Sequence, residues 1–180
     1  MICRYIKPIK PTGNPRRYTI MGNDKVVREQ LLFLLRGGNA HMNFNQTVAD
    51  FPIQNINTKP PNVSYTPWYL LEYLRIAQRY ILEFIRDPKH VSPAWPEGYW
   101  PSENEDADQA KWENTISKFH ADMGTLQDMV TNPRTDLYTP IPHAPDYTIL
   151  REILLVVDHN AYHIGELAIL RQVMDNWQLN

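Results

Sequence analysis

Cysteine is almost missing from this chain: Cys3 stands alone among 180 residues. A single thiol excludes an intrachain disulfide framework and fits a reducing, cytoplasmic setting. Its place near the first residue makes it incidental to any chemistry. A charge excess is missing too. Eighteen Lys and Arg stand against twenty Asp and Glu, which excludes the basic footprint of a nucleic-acid binder. Long hydrophobic runs are absent: the apolar stretch over 153–157 is far shorter than the roughly 20 residues that span a bilayer. The first eight residues lack the apolar core of a signal peptide. No Gly-rich phosphate loop and no Ser-His-Asp pattern occurs. The expectation is one domain over 1–180 with no membrane or nucleic-acid partner, long enough to bury a sizeable core.

Proline organises what is present. Pro8, Pro11, Gly13, Pro15 and Gly22 predict an irregular N-terminal strap over 1–22. Helical spacing of Val26, Val27, Leu31, Leu34 and Leu35, continued by His41, Phe44 and Val48, predicts a first helix from about 24 to 49, kinked at Gly37 and Gly38. Thr66-Pro67 is a cap followed by a first-turn proline, predicting a second helix over 67–86 that stops before Asp87-Pro88. Its charged stripe, Glu72, Arg75, Arg79, Glu83 and Arg86, reads as solvated. Tyr69, Leu70, Tyr73, Ala77 and Tyr80 read as inward. A Pro- and Trp-rich segment follows, whose Trp95, Tyr99 and Trp100 are candidates for an aromatic lid. A third helix is expected at 107–131 and a fourth at 148–174. The fourth is apolar all round and so expected to be buried on both sides, its back against the strap or a second copy. Four helices with two long connections predict an all-α four-helix bundle with long crossover loops.

The candidate chemistry lies on the fourth helix. His159 and His163 are one turn apart on one face, where two imidazoles can share a metal ion. Glu166 follows on that face and could hold His163 in the required tautomer. Tyr73 on the inward face of the second helix, His41 beside the paired glycines, and His143 in the loop before the fourth helix are the other pocket candidates. Asp158 points about 100° from His159 and is a poor direct ligand. His90 and His120 have no supporting context.

The stretches Tyr65-Thr-Pro-Trp-Tyr-Leu-Leu-Glu-Tyr-Leu-Arg-Ile-Ala-Gln and Asp158-His-Asn-Ala-Tyr-His-Ile-Gly-Glu-Leu, with Leu35-Arg-Gly-Gly and Ser92-Pro-Ala-Trp-Pro-Glu-Gly-Tyr-Trp-Pro, resemble the signatures of the DinB-like superfamily. The resemblance implies a four-helix bundle, commonly a homodimer, with a divalent metal (zinc, nickel or manganese) on three histidines. It also implies transfer or isomerisation chemistry on small thiols in members of known activity. Two ligand positions map onto His159 and His163; the third, a histidine of the second helix, is Tyr73 here. A neutral phenol is a poor metal ligand, its ordinary pKa being about 10. Two functions stay open: a metal-dependent transferase or hydrolase, and a metal-free, non-catalytic protein that binds a small molecule in the same pocket.

Overall fold

A computed structural model describes residues 20–102, 104–175 and 177. Most of the expected strap lies outside the described residues; its last three positions, 20–22, already belong to a helix. The described chain is all-α apart from one short hairpin. Its helices are α1 Ile20–Arg36, α2 Phe44–Val48, α3 Pro67–Arg86, α4 Gln109–Thr131 and α5 Ile149–Val173. β1 Pro140–Ile141 and β2 Ala144–Thr148 pair antiparallel within what the sequence predicts as loop.

The first expected helix is divided. Gly37 and Gly38 adopt φ of +65° and +78°, left-handed values that end α1 instead of kinking it. The chain re-enters a helix at Asn43, whose side chain accepts from Gln46 N at 2.9 Å while Gln46 returns a bond to Asn43 N. His41 therefore lies on a linker and not on a helix face.

α3 begins where Thr66 Oγ1 accepts from Tyr69 N at 3.1 Å, with Pro67 in the first turn. Asp108 caps α4 through Lys111 N at 2.8 Å, and Thr148 caps α5 through Arg151 N at 3.2 Å. α3 packs on α4 and α5, and α1 packs on the same two. The successive pairs Glu72–Thr115 and Arg79–Asp122 make α3 and α4 parallel, which requires the long crossover between them. α5 runs antiparallel to α3, as Tyr73 meets His163 and Gln78 meets Asn160.

One expectation about faces is corrected in part. Of the stripe expected to be solvated, Arg79 and Arg86 are exposed, but Glu72 enters the α3–α4 seam: it is half-buried between Arg75 at 2.6 Å and Thr115 Oγ1 at 2.8 Å, and the Arg79 head reaches Asp122 at 2.8 Å. Long charged side chains cover apolar surface while keeping their heads paired. Within a single described chain α5 buries one flank and leaves the other open. Ile153, Val156, Asn160, Ile164, Leu167 and Leu170 face inward, whereas Leu154, Tyr162, Ile169 and Val173 are exposed. By length and composition α5 could cross a membrane; here it lies against α1 and α3 and buries Glu152, Asn160 and Arg171.

Candidate functional site

The i,i+4 spacing brings the His159 and His163 rings to 4.5 Å between centroids, on the flank of α5 that faces α3. Tyr73 of α3 meets both rings, at 5.4 Å and 4.9 Å. Glu166 completes the group. Its Oε2 lies 2.5 Å from His163 Nδ1, and its Oε1 accepts from the Tyr65 hydroxyl at 3.0 Å. A carboxylate at Nδ1 holds the proton there and leaves Nε2 as the basic, lone-pair-bearing nitrogen.

His159 is the odd member. Both its ring nitrogens are buried and neither forms a well-shaped hydrogen bond among the described residues, the adjacent Asn160 side chain giving only a weak polar contact. Burial, and then the neighbouring His163, push its pKa down to about 4, so the ring is neutral at physiological pH with a lone pair unsatisfied. The phenols shift the other way. Burial and the Glu166 bond push Tyr65 up to about 12, and burial followed by the Glu166 charge raises Tyr73 above its ordinary value. Tyr73 is thus a protonated, neutral phenol at physiological pH.

The aromatic segment does cover this group, through one of its three candidates. Trp100 stacks on Tyr73 at 4.4 Å and 22°, whereas Trp95 is 69% exposed and touches only Tyr99 within the ring cluster. Tyr99 lies against Tyr80, and burial followed by Tyr80 raises its hydroxyl to about 12.

Two pocket candidates are elsewhere. His41 lines a groove on another flank of α5, with Nδ1 2.7 Å from Met42 O. His143 is exposed and hydrogen-bonds Phe84 O at 2.7 Å, about 16 Å along α3 from Tyr73 at 1.5 Å per residue. Sequence reasoning missed Tyr65, which sits ahead of α3, where no periodicity assigns a direction. It also missed the buried chain beside the site, in which Asn160 Nδ2 donates to Gln78 Oε1 and Gln78 Nε2 donates to Phe119 O, each at 2.8 Å.

Two imidazoles, one of them backed by a carboxylate, fit the protein side of a metal site. A third strong donor is missing: among the described residues no trio of His, Cys, Asp or Glu is arranged around one point. No family model, curated protein or solved structure matches the chain.

Proposed function

We propose that this is a DinB-like four-helix-bundle protein, a metal-dependent enzyme whose substrate binds at the His159/His163 pocket. The observation that carries the reading is the pair of buried ring nitrogens on half-buried His159, neither in a well-formed hydrogen bond, beside a His163 whose Nδ1 is committed to Glu166. Unsatisfied buried nitrogen is costly unless something occupies the lone pair. His159 and His163 hold the ion in this reading, with Tyr73 as a neutral third neighbour and Glu166 behind His163. Zinc, nickel or manganese there supplies Lewis acidity and lowers the pKa of a bound thiol or water. Transfer to a small thiol is taken from the resemblance alone, with hydrolysis second. The reading includes a cytoplasmic homodimer joined through the exposed apolar face of α5; a monomer mass by light scattering would remove that part.

One observation favours the second reading, a metal-free binding protein. Catalytic zinc usually has three protein ligands, and Tyr73 is a stacked phenol with a raised pKa. Metal analysis of tag-free protein purified without chelator separates the two. Near-stoichiometric metal that disappears in His163→Ala is the expected result. No uptake after incubation with zinc, nickel or manganese leaves only the second reading. Tyr73→His completes a three-histidine set and is expected to tighten zinc binding at least tenfold, about 1.4 kcal/mol. Unchanged affinity in a folded variant removes Tyr73 from the site.

A further inference from the structure

The other flank of α5 carries a groove of about 360 Å³ between the end of α1, the linker to α2, α4 and α5. That volume is within the range of small-molecule sites. Its floor is mostly apolar and built from the core: Leu35, Phe44, Phe119 and Ile164 line it, each at most 7% exposed, with buried Asn160 as the polar exception. Phe44 and Phe119 stack at 3.9 Å, so the floor is rigid. The lining includes no Asp or Glu, and its one fixed charge is Arg36. Arg36 forms no ion pair or hydrogen bond among the described residues, unlike Arg28, Arg75, Arg79 and Arg151. The carbonyl end of α1 opens on the same rim and would repel an anion. Part of it is already taken, since Asn39 Nδ2 donates to Phe33 O at 2.8 Å and Gly37 N to Leu34 O at 3.0 Å.

We propose that this groove is a second binding site, distinct from the histidine pocket, for a small apolar carboxylate whose hydrocarbon body lies on Phe44, Phe119 and Ile164 and whose head pairs with Arg36. An Arg fork over an apolar trough suits a planar carboxylate better than a neutral head. Charge also argues against the N-terminal strap as occupant. Residues 1–19 carry Arg4, Lys7, Lys10, Arg16 and Arg17 and no carboxylate, so they would bring like charge to Arg36.

The test is calorimetric titration of the full-length chain with phenylpropionate and octanoate, against the neutral phenylpropionamide, with NMR mapping of methyl shifts. Saturable carboxylate binding is expected, with shifts at Ala161, Ile164 and Met123. Affinity should fall about tenfold for the amide and for Arg36→Gln, the worth of one charge-assisted contact. Ala161→Phe, which fills the groove, should abolish binding while the far-ultraviolet spectrum stays unchanged. Four outcomes overturn the proposal: no saturation, equal affinity for the amide, shifts confined to the surroundings of His159 and His163, or affinity that falls as protein concentration rises. The last would mean that a second copy occupies the groove.

Discussion

At the residue scale His159 makes the clearest pH prediction. Its pKa in the folded protein is about 4 against an ordinary 6.5, so below pH 6.5 the unfolded chain binds a proton that the folded chain refuses. The contribution is fully present above pH 6.5 and is lost as the pH falls toward 4, with no further loss below. His159 keeps some exposure, so the loss is on the order of 1–2 kcal/mol rather than the full value of the shift. Urea unfolding of zinc-free protein at pH 7 and pH 4.5 measures it. His159→Gln is expected to lose less stability between those two values than the parent chain, and equal losses would refute the assignment. The histidine pair and Glu166 were legible because helical spacing alone puts i, i+4 and i+7 on one face. Tyr65, which completes the carboxylate's bonding, was not legible, because only tertiary packing sets the direction of a loop side chain.

At the element scale the ends of α3 were readable from the Thr66 cap, the first-turn Pro67 and the Asp87-Pro88 stop, while the fate of the first helix was not. Periodicity runs through Gly37 and Gly38 because α2 buries Phe44 and Val48 in one apolar cluster while α1 buries Leu31 and Leu35 in the other. Apolar spacing reports which residues face inward, and two separate helices that bury different clusters can share it. The positive φ values at the glycines decide the break, and periodicity carries no record of them. Gly38→Ala combines a strained φ with a Cβ 3.3 Å from Asn43 Nδ2 and is expected to cost about 1–2 kcal/mol. Gly124→Ala, in the interior of α4 with nothing within 4 Å of the added Cβ, should stabilise by up to about 1 kcal/mol. Thermal unfolding of the two variants should therefore move in opposite directions. A neutral Gly38→Ala would mean that α1 continues past Arg36 in solution.

At the scale of the whole molecule, the crossovers expose backbone that the helices do not satisfy, and two arginines do much of that work. Arg28 of α1 donates to Val130 O at 2.8 Å, Asn132 O at 3.1 Å and Thr135 O at 2.7 Å, closing the carbonyl end of α4. Arg171 of α5, only 6% exposed, does the same for α2. It donates to Thr47 O at 3.0 Å, to Ala49 O, and to Asp50 O at 3.0 Å, with Phe51 and Trp177 over its guanidinium. Burial lowers its pKa, yet an arginine stays charged, and those carbonyls, the rings and the nearby Asp50 carboxylate help offset its desolvation. Nothing in the local sequence could announce such a partnership, since some 120 residues separate donor and acceptors. It matters for the groove, because α2 supplies Phe44 to its floor and Arg171 fixes α2 to α5. Arg171→Met keeps the stem and removes every donor, stranding three carbonyls; a loss of about 2–4 kcal/mol in urea unfolding is expected. Proteolysis within 44–51 should become faster in the folded variant, and carboxylate binding in the groove should weaken with it, while metal binding at His159 and His163 stays unchanged. A variant that loses stability uniformly, with no local opening at α2, would show that Arg171 acts through general packing and not as the tie between the two helices.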